Sequence, residues 1–404
     1  RMRIQRGAAS LAAVGISGVI GFAAAQSNVT CNVGEEAVCT CETAADLAAF
    51  LLPESGCVTV ECSSVSIEER NLDLDGHPCL AGMNLDDNVF KFIRVKNMPA
   101  LVDASFNNVS ALILDVVNCT KLERLSIREN EFDGNDNLRL EALPALDSLD
   151  VSRANNLRFM PIKARDAPNL RSLDVSNTKL RSFSMTELPS LQILRIGSGI
   201  FGQIRLDGCQ LKELIITSSF AFEGQGFSAA KCPDLEVLQF GRSGLVSIDL
   251  DNNPRLRKLT YESNPITEID LSKVPLLTHL DLGNTRITSL DLQGLTKLEE
   301  VDLAFSTVTG ALNLTDNAAL RVLNILSAKR LTDVIGIETL RNLTDFEADG
   351  VTFSRDICPH PDTGLECIKG PGPDSGESAA SPSLVPSLTE LVAMCLAALV
   401  IISA

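Results

Sequence analysis

The chain has 404 residues, 45 % of them hydrophobic and 22 % charged, a composition that excludes a disordered protein and supplies a sizeable core. Its 52 acidic residues against 35 basic ones leave a formal charge of −17, which argues against a surface that embraces nucleic-acid phosphates or anionic lipid. Trp is absent, Tyr occurs once and His three times, so aromatic stacking platforms and imidazole chemistry have few residues to draw on.

At the start of the chain, Arg1, Arg3 and Arg6 precede an apolar run from Ala8 to Phe22 and the small residues Ala23, Ala24 and Ala25. This is the pattern of a secretory signal peptide over residues 1–25, with Gln26 expected to begin the mature chain. A membrane anchor is the competing reading, but the apolar run is too short for it. Cys31, Cys39, Cys41, Cys57, Cys62 and Cys79 then mark a disulfide-rich N-terminal cap over 26–85 and an oxidising compartment. Sequence does not choose among their pairings. Zinc binding is the alternative for the cap, but no regular C-x₂-C pairs support it, and neither a metal nor a cofactor is expected.

A repeat governs residues 86–350. Pro99, Pro144, Pro168, Pro189, Pro233, Pro254 and Pro275 each sit two residues before a Leu, with gaps of 21, 24 or close to double that. Each such Leu opens an L-x-x-L-x-L-like string, among them Leu146-x-x-Leu149-x-Val151, Leu170-x-x-Leu173-x-Val175, Leu256-x-x-Leu259-x-Tyr261, Leu277-x-x-Leu280-x-Leu282 and Leu298-x-x-Val301-x-Leu303. Further copies open at Leu101, Leu122, Leu191, Leu211, Leu235, Leu320 and Leu343. Alternation within a string predicts one short strand per unit, and a unit that cannot bury its own leucines must stack on neighbours in a parallel sheet. A second string follows each strand, as in Ile266-x-x-Ile269-x-Leu271 and Ile287-x-x-Leu290-x-Leu292. Too few residues remain for a full helix, so the outer side is expected to be extended or 3₁₀.

These strings resemble the leucine-rich repeat family, in its short extracellular type, over roughly Met98 to Val351. The resemblance implies a mainly β solenoid with a parallel concave sheet, and the class of non-catalytic recognition proteins. The Asn that the family places after the third apolar position stands at Asn130 and Asn264 but is shifted by one at Asn177 and Asn284.

Solvent-facing strand positions are where such a sheet would bind a ligand. One column runs Ser126, Asp150, Asp174, Arg195, Ile215, Gln239, Thr260, Asp281, Asp302, Asn324, Glu347; the other runs Arg124, Ser148, Ser172, Ile193, Glu213, Val237, Lys258, His279, Glu300, Val322, Asp345. Ile193, Ile215 and Val237 form an expected apolar patch beside Arg195. Asp281, Glu300, Asp302, Asp345, Glu347 and Asp349 form an acidic C-terminal third that invites a basic partner or a hard cation, against the alternative of a merely solvated face. The expected ligand contacts are therefore Ile193, Arg195, Ile215, Val237, Asp281, Glu300, Asp302 and Glu347. A loop from Phe220 to Ala230 is the competing cover for the apolar patch, and His279 reads as a surface residue.

Cys209 and Cys232 share a phase in adjacent units and are expected to bridge them, while Cys358 and Cys367 are expected to close a small C-terminal cap over 351–368. Cys119 is left over. Sequons at Asn28, Asn108, Asn118, Asn313 and Asn342 are candidate glycan sites, the last four of them on turns or the outer side by phase. A Gly/Pro/Ser-rich stalk spans 369–383, and an apolar tail over 384–404, which includes Cys395, has no basic residue behind it. That pattern predicts a glycolipid-anchor signal with attachment at Ser378, in preference to a transmembrane span. No G-x-S-x-G, H-E-x-x-H or P-loop string occurs, and Asp281 with Asp302 on an open sheet would lack the water exclusion that acid catalysis needs. The sequence thus predicts a recognition or adhesion protein on the extracellular face of the plasma membrane, non-catalytic, with a protein or glycan ligand and no nucleic acid. A structural coat or wall component, and a secreted inhibitor of an extracellular hydrolase, are the alternatives.

Overall fold

The computed structural model describes residues 19–23, 38–41, 46–47, 58–65, 70–109, 111–132, 137–154, 157–158, 162–181, 183–184, 187–197, 204–206, 208–218 and 224–370. Each apolar string becomes one strand of three to five residues whose middle side chain is buried, or half-buried at Phe346 in the last of them, and whose flanks face outward. Ser148–Asp150, Ser172–Asp174, Lys258–Thr260 and His279–Asp281 all follow that pattern. Neighbouring strands pair in parallel and in register, so Leu149 lies beside Leu173, Leu259 beside Leu280, and Leu280 beside Val301. Fifteen such strands, from Val38–Thr40 to Asp345–Glu347, form one sheet among the described residues, in chain order. The chain is a leucine-rich repeat solenoid, mainly β.

The cysteine-rich segment is itself part of the stack. Val38–Thr40, Thr59–Glu61 and Gly82–Asn84 join the inner sheet ahead of the first readable repeat, with Val60 and Met83 in the buried column. Cys41 and Cys62 bridge two of these coils with their Cα atoms 4.8 Å apart, and Cys39 and Cys79 are also disulfide-bonded. At the other end, Ile357 and Ile368 form an antiparallel bridge beside the Cys358–Cys367 disulfide. That small loop packs Leu365 and Ile368 against the last coil. The terminal strand Asp345–Glu347 is short and carries a carboxylate at each end, which discourages pairing with another sheet edge.

The outer side is extended, as a short period demands. Arg70–Asp75, Phe90–Lys96, Ile113–Val117 and Leu138–Glu141 form a second parallel sheet. Val19–Ala23, inside the expected signal peptide, runs alongside Asn71–Asp75 at its edge. Shorter strand pairs follow, such as Gly310–Asn313 with Leu331–Ile335, together with the 3₁₀ turns Ile337–Thr339 and Pro361–Thr363. Between the two sides lies one continuous core of Leu, Ile, Val and Phe.

Among the described residues, the turn that leaves an inner strand passes through a left-handed residue, and this settles the irregular asparagines. Asn177 and Asn284 occupy that position, with φ of 57° and 53°; they are not displaced members of the buried ladder. Asn tolerates this backbone region because its short polar side chain bonds locally. The ladder position follows one residue later and is filled by Thr178 and Thr285, whose hydroxyls donate to the carbonyls of Val175 and Leu282 at 2.8 and 2.6 Å. Where Asn holds it, one side chain joins two coils. The amide of Asn264 donates to the carbonyls of Phe240, Tyr261 and Glu262, and its oxygen accepts from the N–H groups of Ser243 and Leu245. Asn88 and Asn130 do the same further back.

Among the described residues from Cys119 onward, a tight turn on the opposite side of the coil precedes the strand, and its buried column includes Cys119, Leu143, Leu188, Cys209, Cys232, Asn253, Val274 and Leu295. Cys209 and Cys232 are consecutive in it and form a disulfide, with Cα atoms 4.9 Å apart. Cys119 has no half-cystine beside it in the column. Its thiol is free and buried, and burial pushes its pKa up to about 11, so it packs as an inert small hydrophobe. Among the described residues no helix is long and apolar enough to cross a membrane. Ser378, Cys395 and the apolar tail lie outside the described residues, as do Asn28, Cys31 and Cys57.

Candidate functional site: the inner sheet

The inner sheet presents the two columns in the order the sequence implies, because Ser148 pairs with Ser172, Asp174 with Arg195, Arg195 with Ile215, and Asp281 with Asp302. Its chemistry changes along the stack. In the middle, Ile193, Ile215 and Val237 are half-buried, but register puts Glu213 between Ile193 and Val237. Arg195 meets that Glu213 at 2.5 Å. The expected apolar patch is therefore three branched side chains around an ion pair. The described part of the 220–230 loop does not cover it: Gly226–Ser228 is an outer strand, and Phe227 packs edge-to-face on Phe240 at 4.6 Å inside the coil.

In the C-terminal third the carboxylates do two different jobs. Asp281 Oδ1 accepts from the Gly283 N–H at 2.9 Å and Asp302 Oδ1 from the Ala304 N–H at 2.8 Å. Asp150 and Asp174 cap the corresponding turns at Ser152 and Ser176. An Asp or Asn in this column thus closes the turn two residues on, in the manner of an Asx turn. The two acids converge over Gly283, where a Cβ would lie 3.3 Å from an oxygen of each. Burial holds Asp281 above the usual carboxylate pKa, and the charges of Asp302 and Glu262 push the same way. Asn324 donates to the other oxygen of Asp302 at 2.9 Å. By contrast Glu300, Asp345, Glu347 and Asp349 are exposed, and Glu300 lies 3.5 Å from the imidazole of His279. Phe305 stands beside this zone, 58 % exposed and left-handed at φ 58°. Among the described residues no group of three or more His, Cys, Asp or Glu side chains is placed to hold a metal ion.

The N-terminal third holds a feature that sequence reasoning missed. A hollow of about 480 Å³ opens over Thr59, Glu61, Gly82, Asn84, Asp103, Ser105, Arg124, Ser126, Ser148 and Asp150. The signal was available in the small residues of those two columns, but their first members lie in coils without a readable leucine string. Candidate glycan sites stay off the inner strands: Asn108 and Asn118 are exposed left-handed turn residues, Asn342 is an exposed turn residue, and Asn313 ends an outer strand.

No family model matches the sequence, and no curated protein matches it either. Solved structures do. An internalin, InlF, from Listeria monocytogenes aligns at 18 % identity and TM-score 0.47 over 69 % of this chain and 80 % of its own. A leucine-rich repeat protein of Leptospira interrogans aligns at 12 % identity and TM-score 0.46 over 78 % and 83 %. TLR13, in a complex with single-stranded RNA, aligns at 17 % identity and TM-score 0.49 over 76 % of this chain but 47 % of that one, so the chain spans under half of it.

Proposed function

We propose that this protein is a non-catalytic recognition or adhesion protein of the cell surface, which binds an extracellular protein or glycan on its inner sheet. The observation that carries the reading is the sheet itself. Its fifteen strands hold outward-facing side chains in fixed register, and a rigid, stacked array of that kind is a binding scaffold. The disulfides Cys41–Cys62, Cys209–Cys232 and Cys358–Cys367 support an oxidising, extracellular location. The leader over 1–25, the stalk over 369–383 and the tail with Ser378 support tethering by a lipid anchor, and Asn28, Asn108, Asn118, Asn313 and Asn342 support glycosylation. The net charge of −17 leaves nucleic acid out of the proposal.

The test is an array of extracellular proteins and glycans probed with the purified protein. Charge reversal is best placed at Glu300 and Glu347, because Asp281 and Asp302 also cap turns. Capture that weakens in Glu300→Lys/Glu347→Lys, or in Val237→Asp, without earlier melting supports the reading. Capture indifferent to substitution anywhere on the inner sheet contradicts it and favours a structural coat component. Release from cells by a phosphatidylinositol-specific phospholipase tests the anchor, and retention after treatment contradicts it.

A further inference from the structure

The hollow between Thr59 and Asp150 lies on coils from which none of the expected ligand contacts came. Its floor is low because Gly82, Ser105, Ser126 and Ser148 hold the two columns that Ile193, Arg195 and Ile215 fill further along. Its charges are largely met within the sheet. Arg124 donates to Asp103 at 2.6 Å, Arg128 lies 3.7 Å from Asp150, and Glu61 accepts from the amide of Asn84 at 3.4 Å. An ionic ligand gains little from a lining whose charges already have partners, and a wholly apolar one would strand the hydroxyls, amides and carboxylate oxygens that share the lining with Met83, Ala104 and Leu125. A neutral, hydroxylated ligand satisfies both constraints.

The spacing adds a direction. Asp103, Arg124 and Ser148 stand in one column and Ser105, Ser126 and Asp150 in the other, stepping at the roughly 4.8 Å of adjacent strands. Acceptors and donors thus recur along the solenoid axis at intervals on the scale of one sugar ring. The volume falls within the roughly 300–1,000 Å³ of small-molecule sites. We propose that this hollow binds a neutral oligosaccharide lying across the strands from Thr59–Glu61 to Ser148–Asp150, with Asp103 and Arg124 hydrogen-bonding its hydroxyls. The proposal rests on the reading of the inner sheet as a recognition surface and names the ligand class for one part of it.

The test is calorimetric titration of the purified protein with neutral oligosaccharides derived from β-glucan, mannan, xylan and chitin. The expected result is saturable binding of at least one, weakened about tenfold or more by Ser148→Trp, which fills the hollow, and unchanged in Thr260→Trp further along the sheet. The pair Asp103→Asn/Arg124→Gln leaves the hollow open while removing its charged hydrogen-bonding groups and should weaken binding to a similar degree, which covers the case of a Ser148→Trp chain that melts early. Binding of none of the four saccharides, binding by both hollow variants as tight as by the unsubstituted protein, or loss in Thr260→Trp overturns the proposal. If protein capture on the array persists without saccharide binding, the hollow alone is refuted; if both are missing, the recognition reading falls with it.

Discussion

Between Thr59 and Asp150 the inner sheet is floored by small side chains and its charges meet partners, whereas between Thr260 and Glu347 the same register stacks Asp281 on Asp302 and leaves Glu300, Asp345 and Glu347 in solvent. The backbone of the two regions is the same: parallel three-residue strands, a buried middle residue and a left-handed turn. Mid-strand apolar residues and the buried Asn, Thr or Ser ladder set the scaffold, and the flanking columns set the surface. Aspartate crosses that division. Asp150 in one region and Asp302 in the other both cap turns, so part of the C-terminal acidity is architectural, and the exposed glutamates are the part free to serve a ligand.

If the scaffold is common, truncating it should cost the same in either region. Leu149→Ala and Leu280→Ala each remove a fully buried side chain and are expected to lower stability by about 4 kcal/mol, read by denaturant unfolding; a cost confined to one variant would mean that the regions are packed differently. The Cys209–Cys232 bridge lies between the regions and closes a 23-residue separation. Replacing both cysteines by Ser should cost about 3 kcal/mol, and two calorimetric transitions in place of one would show that the bridge couples the halves. Asn264→Ala strips hydrogen bonds from five backbone groups of two coils and should cost about 2 kcal/mol, whereas Thr285→Val, with one such bond, should cost less.

The smallest effect is the most specific to the acidic region. Burial raises the folded pKa of Asp281, so the folded state binds more protons than the unfolded chain. Stability from this group therefore falls as pH rises from the ordinary carboxylate value through the folded one. Asp281→Asn keeps an oxygen for the Gly283 N–H and removes that slope. Thermal melts should show a gain of about 0.5 kcal/mol at pH 7 and none at about pH 3, the figure held small by solvent screening. A loss at pH 7 would show that the carboxylate is needed as a charge and not only as a cap.

The leucine strings made the register legible from Leu101 onward, since Leu, Val or Ala at mid-strand and polar residues beside it leave one way to stack. They did not reveal the strands at Val38, Thr59 and Gly82, where Cys39, Val60 and Met83 replace leucine and disulfides do part of the stapling. Nor did they reveal Asn88, or that Asn177 and Asn284 are turn residues, because ladder and turn positions are adjacent and both accept Asn. At the site, the columns were readable but their neighbours were not. The Glu213 that divides the apolar patch belongs to the same column as Ile193 and Val237, so its intrusion follows from register, while its pairing with Arg195 needs side-chain geometry. The capping role of Asp281 and Asp302 was hidden because charge in a surface column reads as surface.

The most direct test is oxidative cross-linking of paired cysteine variants, one pair per region. Ser148→Cys/Ser172→Cys and Lys258→Cys/His279→Cys join residues that face each other on adjacent strands, within the separation a disulfide spans, and both should form intramolecular bridges in the native protein. Cross-linking of the offset pair Ser148→Cys/Asp174→Cys instead, or of neither in-register pair, would mean that the columns do not stack as described and that the inner surface is not the one on which the proposed function depends.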